Sequence, residues 1–180
     1  GAIWEGPRDL TKAYLSNADL TDALIRGTNF GIPNFELADF TNAKLTNADL
    51  AGSFHQADFS DAQFRGARLG DFFSPDDGYD FTSASFARAD LTNARLTQLN
   101  INSADLSYAS LSGAFFDQID LTNANLSRAD LSGVEFDGSS SFVTIRNTNL
   151  SHANLTNAYL GGGGIGHVIE SGDFTGADGR

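Results

Sequence analysis

Along most of this chain a large apolar residue recurs at every fifth position. Leu10, Leu15, Leu20 and Ile25 open the series, and Leu91, Leu96, Ile101, Leu106 and Leu111 continue it. Thirteen such centres run to Leu69, twelve from Phe81 to Phe136 and five from Ile145 to Ile165, thirty in all, every one Leu, Ile or Phe. Two residues before the centre the side chain is Ala in 19 of the thirty units. Asp or Asn usually stands between the two, and Ser or Thr follows the centre, so that a unit spells A-D/N-L-S/T-x. A helix repeats every 3.6 residues and a strand every two, and neither generates a period of five. One large and one small apolar residue flanking a polar one both point inward if the chain bends between units.

Five residues cannot bury a core alone. A coil made of several short sides, stacked on the next coil at about 4.8 Å, can bury a continuous narrow core and pair backbone groups between coils. Tyr79, Leu99 and Ile119 are bulky residues at the normally small position and lie 20 residues apart, so four units per coil would put them in one column. Ala48 is then an inner residue and Asn47 an outer one.

Units such as SNADL at 16–20, TNADL at 46–50, TNARL at 92–96, TNANL at 122–126 and TNAYL at 156–160 resemble the pentapeptide-repeat family. The resemblance implies an all-β fold, a right-handed quadrilateral parallel β-helix of about eight coils of ~20 residues, roughly 36–40 Å long. One domain is expected. Residues 1–9 form an N-terminal cap in which Ile3 and Trp4 cover the first coil, residues 10–165 the β-helix, and residues 166–180 a degenerate tail expected to fray, with weak centres at Ile169 and Phe174.

The period slips in three places. Between Leu50 and Phe54 the unit "AGSF" is one residue short, and Gly52 takes the small inner position with the backbone freedom of glycine. From 70 to 80, "GDFFSPDDGYD" separates the centres Leu69 and Phe81 by 12 residues; Pro75 and Asp77-Gly78 are turn signals and predict a loop or bulge at 70–78. From 137 to 144, "DGSSSFVT" lengthens a third unit, with Gly138 and the serines absorbing the turn.

Charge adds a second layer. Eleven Lys plus Arg against 23 Asp plus Glu gives a net charge of -12, which argues against a nucleic-acid or anionic-membrane binder and for solubility or a partner with a basic surface. No apolar run is long enough to span a bilayer. The chain has no Cys, which excludes disulfide and thiol chemistry in this segment. His55, His152 and His167 fall in separate coils, His55 and His152 at positions facing solvent, and Gly161 to Gly164 lack the Lys-Ser/Thr of a phosphate loop. No enzyme and no cofactor are expected.

The candidate interaction residues are acidic: Asp19, Asp39 and Asp58, placed by a 20-residue coil at equivalent positions, and Asp71, Asp76, Asp77 and Asp80 in and beside the loop. The same count stacks Asp9, Asn29 and Asp49 on another side. Three functions follow. The first is a non-enzymatic, monomeric scaffold for an unidentified protein partner. The second, implied by resemblance to the quinolone-resistance members, is a mimic of duplex DNA that inhibits or protects DNA gyrase or topoisomerase IV, although Arg65, Arg68, Arg88, Arg95 and Arg128 interrupt the acidic surface. The third is calcium-dependent binding through the loop aspartates. Resemblance to exported cyanobacterial members implies periplasm or thylakoid lumen, with the cytoplasm as the alternative.

Overall fold

A computed structural model describes residues 2–5, 9–26, 33–70, 79–136, 143–159 and 168–179. In chain order the strands are β1 (Ile3–Glu5), β2 (Leu24–Arg26), β3 (Asp49–Leu50), β4 (Arg68–Leu69), β5 (Tyr79–Asp80), β6 (Arg95–Thr97), β7 (Leu99–Asn100), β8 (Phe115–Asp117), β9 (Glu135–Phe136), β10 (Thr144–Arg146) and β11 (Val168–Glu170). No helix occurs among the described residues, so none there is long and apolar enough to cross a membrane.

Strands β1, β2, β3, β4, β6, β8 and β9 form one parallel sheet in that order, the first of four walls, which Tyr159 extends beside Glu135. The second wall runs from Asp9 through Asn34, Ser53, Asp80, Asn100 and Asp120 to β10 and β11. The third carries Tyr14, Asp39, Asp58, Ser85, Asp105, Asn125, Asn149 and Asp173; the fourth carries Asp19, Lys44, Gln63, Asp90, Ser110, Asp130, Asn154 and Asp178. The predicted quadrilateral parallel β-helix is therefore present, with eight levels on each wall. Tyr79, Leu99 and Ile119 do stack, buried, on the second.

The motif follows from backbone accounting within one unit. Asp39 N–H donates back to Ala13 O (2.9 Å) and Phe40 N–H forward to Asp58 O (2.7 Å); Asn42 N–H donates forward to Ser60 O (3.0 Å), and Ala43 N–H closes a turn onto Phe40 O (2.9 Å). That leaves Thr41 N–H, and the Asp39 carboxylate accepts it at 2.8 Å. All five donors are satisfied, as buried or half-buried amides require. Asp and Asn thus recur before the centre because a short side chain reaches the amide two residues on.

Each turn puts its third residue in the left-handed region, the signature of a type II turn. Twenty-one non-glycine residues have φ between 51° and 61°, and all lie two positions after a centre, joined there by Gly66, Gly113, Gly133 and Gly176. Asn and Gly suit this conformation; Leu37, Arg88 and Tyr108 adopt it under strain. Asn47, expected only to face outward, is also held there at φ 55°.

The interior is a column of Ala, Leu and Phe. Phe35, Phe54 and Phe81 stack with ring centroids 5.0 and 4.7 Å apart, and Phe40, Phe59 and Phe86 form a parallel ladder at 4.7 and 5.1 Å. These separations match the strand spacing of about 4.8 Å, so the coils bring the rings to stacking distance.

Every change of length falls on one corner. From wall two to three, three to four and four to one, successive centres stay five residues apart at each described level. From wall one to two the step is ten (Ile25 to Phe35), four (Leu50 to Phe54), twelve (Leu69 to Phe81), five (Leu96 to Ile101; Phe116 to Leu121) and nine (Phe136 to Ile145). Residues 27–32, 71–78, 137–142 and 160–167, which include Phe30, Leu160 and Ile165, most of the expected 70–78 loop and the Gly161 to Gly164 run, lie outside the described residues. Gly52 fills the short step for a different reason from the one expected. Its φ is not positive; instead a Cβ there would lie 2.8 Å from Pro33 O, so glycine is needed for close approach.

Both ends differ from expectation. Ile3–Glu5 pair with Leu24–Arg26 and add a rung to the first wall, leaving Ile3 67 % exposed. The tail expected to fray continues the coil instead: β11 pairs with β10, Asp173 with Asn149 and Asp178 with Asn154. The backbone ladder tolerates weak centres, although Phe174 is only partly covered.

Two comparisons test this architecture by thermal or denaturant unfolding. Gly70 (φ 91°) would place a Cβ 1.8 Å from Thr97 O, whereas at Gly133 (φ 64°) a Cβ meets nothing within 4 Å. Gly133→Ala should lose about 1–2 kcal/mol from left-handed strain alone, and Gly70→Ala at least ~1 kcal/mol more from the clash. Equal losses would refute the packing of Gly70 on Thr97. Ala48→Leu should destabilise by about 1–3 kcal/mol by overfilling the interior, while exposed Leu37→Gly should stabilise by about 0.5–1 kcal/mol as relief of strain exceeds the added chain entropy.

Candidate interaction surface

The structure separates the acidic residues that a uniform 20-residue coil would stack. On the second, third and fourth walls the register between the first and second levels steps by 25 residues, so Asp19 lies beside Lys44 on the fourth wall and Tyr14, not Asp19, lies beside Asp39 on the third. Asp39 and Asp58 do stack, and no other bridge among the described residues sets two carboxylates side by side. Asp9 pairs with Asn34 and Asp49 with Leu24 and Arg68, which dissolves the expected Asp9–Asn29–Asp49 column; Asn29 lies outside the described residues, as do Asp71, Asp76 and Asp77. Asp80 sits on the second wall between Ser53 and Asn100.

Most carboxylates are engaged in turns. Asp58 accepts from Ser60 N–H at 2.9 Å, Asp80 from Thr82 N–H at 2.8 Å and Asp19 from Thr21 N–H at 3.2 Å. Hydrogen bonds from the Thr21 side chain and amide, helped by Lys44, hold the Asp19 carboxyl below its usual range, and Thr11 does the same for Asp9. Asn side chains donate to stacked neighbours, Asn125 to Asp105 at 3.0 Å and Asn154 to Asp130 at 2.9 Å, which disperses the charge along a wall.

Cations interrupt the acidic surface at particular acids. Arg88 forks onto Asp61 with two bonds of 2.7 and 2.6 Å, Arg65 reaches Asp90 at 2.7 Å and Lys44 approaches Asp19 at 3.8 Å. Arg128 lies over the Tyr108 ring, 5.5 Å from its centroid. His55 Nδ1 is 3.9 Å from Asp80, and His152 is exposed in another coil; His167 lies outside the described residues. Among the described residues no group of three or more His, Asp or Glu side chains is placed to hold a metal ion.

The first wall differs from the other three. Its outward column reads Leu24, Asp49, Arg68, Arg95, Phe115, Glu135 and Tyr159, with Arg68 directly opposite Arg95 and Arg95 4.5 Å from the Phe115 ring centroid. The letters do not reveal this juxtaposition. Arg68 and Arg95 are 27 residues apart, and only the 12-residue step at one corner brings them into register.

Comparison with known proteins agrees with the fold. The family model "Pentapeptide repeats" matches in eight copies over residues 9–31, 34–71, 78–98 and 100–138. Among solved structures the chain is similar to HetL, a pentapeptide repeat protein involved in heterocyst differentiation regulation from the cyanobacterium Nostoc sp. strain PCC 7120, with 25 % identity, 99 % of this chain and 83 % of that chain covered, and a TM-score of 0.56. It is also similar to QnrB1, a plasmid-mediated fluoroquinolone resistance protein, with 21 % identity, coverage of 96 % and 89 %, and a TM-score of 0.44. A pentapeptide repeat protein from the thylakoid lumen of Arabidopsis thaliana matches at 27 % identity, coverage of 67 % and 63 %, and a TM-score of 0.25. No curated protein matches by sequence. With the repeat model matched over more than half of its length and the four-walled coil formed by the same residues, the chain belongs to the pentapeptide-repeat family.

Proposed function

We propose that this protein is a non-enzymatic, monomeric scaffold that binds another protein through its flat walls. What supports the reading is the use made of its polar side chains. The aspartates and asparagines before the centres cap turns, the arginines pair with acids or rings, and what faces solvent is a set of extended, regular surfaces. On the third wall the Asp39–Asp58 pair sets like charges on adjacent strands, an arrangement that disfavours the fold and suits a partner surface rich in Lys or Arg. Asp19 and Asp80 contribute to the fields of the neighbouring walls. The resemblance to exported relatives favours the periplasm or thylakoid lumen over the cytoplasm as the place where this happens.

A duplex-mimicking role at gyrase or topoisomerase IV has less support, because Lys44, Arg65 and Arg88 break the acidic surface at intervals that a phosphate backbone does not have. Asp39→Asn/Asp58→Asn keeps both turn-capping oxygens and removes both charges, so stability should hold or rise slightly. Quantitative capture from native extract should show a partner enriched by the unmodified chain and lost with the double variant. An unchanged set of captured proteins would remove the acidic wall from the account. In a gyrase supercoiling assay with a fluoroquinolone, we expect neither inhibition nor protection at micromolar protein; protection would replace the scaffold reading with the mimic.

A further inference from the structure

We infer that the first wall is a docking surface for an acidic protein segment, with Arg68 and Arg95 reading a carboxylate and Phe115 receiving an apolar neighbour. This rests on the scaffold reading and names the partner chemistry of one wall.

Arg68 and Arg95 occupy directly opposite positions on adjacent parallel strands, about 4.8 Å apart, where like charges repel. No other bridge among the described residues pairs two cations. The acid beside Arg68 is Asp49, at 3.9 Å, and its side chain is only 17 % exposed while that of Arg68 is 67 % exposed. Asp117, on the same wall's edge, is 8 % exposed. Between β3 and β8 the wall thus displays its arginines and withdraws Asp49 and Asp117, while its exposed acid, Glu135, stands one level further on, beside Phe115.

Shape agrees with charge. Along the corner between the fourth and first walls, the left-handed turn residues beside this patch are Gly66, Asn93, Gly113 and Gly133, so at these positions only short side chains flank the arginines. Arg65 adds a cation at the same shoulder, held to Asp90 at 2.7 Å. Arg95 over the Phe115 ring combines a guanidinium fork with an aromatic face, the residue types that dominate protein interface energetics. A carboxylate lying across Arg68 and Arg95 would accept charge-assisted bonds from both and remove their mutual repulsion. The strongly negative whole repels a long polyanion such as duplex DNA, whereas a short acidic segment meets mainly the local field.

The test is a titration of the ¹⁵N-labelled full chain with the probe acetyl-Asp-Glu-Tyr-Glu-Asp-amide at low ionic strength, alongside a probe with Lys in place of every acid and a 12-base-pair DNA duplex. Shifts confined to residues 65–68, 93–95 and 113–115, weakened at least tenfold in Arg68→Gln/Arg95→Gln and by 0.3 M salt, are expected. The double variant should still unfold in one cooperative transition with its coil intact at the temperature of the titration, a result that separates lost recognition from lost structure. No shift on this wall, equal binding by the variant, or a preference of this wall for the duplex would overturn the inference. If the Lys probe shifts the third and fourth walls while the acidic probe shifts nothing, the scaffold survives and this inference fails; if neither protein-like probe binds, both readings fail.

Discussion

A square turn every twenty residues can be made from L-amino acids only if one residue in each unit accepts a left-handed backbone. That constraint organises the rest of this molecule. The left-handed residue bends the chain sharply enough for the next small residue to close a hydrogen bond onto the preceding centre, and it leaves one amide that a short acidic or amide side chain must satisfy. Ala, Asp or Asn, a large apolar centre, Ser or Thr and a turn residue are therefore successive answers to one geometric demand. Where Leu37 or Tyr108 takes the left-handed place of Asn or Gly, the coil persists because the levels above and below hold it through their hydrogen bonds.

The four corners do not keep one length. Three keep their five-residue steps, which keeps each centre above the last and allows the phenylalanine ladders to form. The fourth absorbs steps of four, nine, ten and twelve residues without disturbing the walls on either side. A solenoid contacts only its nearest neighbours, so a change of length at one corner shifts the register of everything after it and leaves the coil intact. The seam is thus the place where the chain varied in length, and it also decides which outward residues become neighbours.

This explains what could be read from the letters. Periodicity identified the centres, the inner alanines, the four-sided coil and the column of Tyr79, Leu99 and Ile119, because each depends on residues within a unit or on a stretch with uniform twenty-residue steps. The outward columns across an irregular step could not be read. Asp19, Asp39 and Asp58 look equivalent if every unit counts as a side, but the ten residues from Ile25 to Phe35 make a single step between walls, and Lys44 arrives beside Asp19. The Arg68–Arg95 contact is hidden for the same reason. The role of the recurrent Asp and Asn was legible as a suitability for bends, while the atom accepted, the amide two residues on, needed coordinates.

Charge on such a rod must be judged by column rather than by sum. A net charge of -12 suggests a uniformly acidic surface, yet three walls disperse their carboxylates among Asn, Ser and turn amides, and the first wall gathers arginines around an aromatic ring. On the first wall the amide two residues on is taken by the backbone ladder, Ala51 N–H by Ile25 O and Gly70 N–H by Leu50 O, so no capping side chain is needed and the column can hold Arg68, Arg95 and Phe115 on successive levels. What runs against local consistency on this wall is the placing of Arg68 directly opposite Arg95, and such departures concentrate where a protein is recognised.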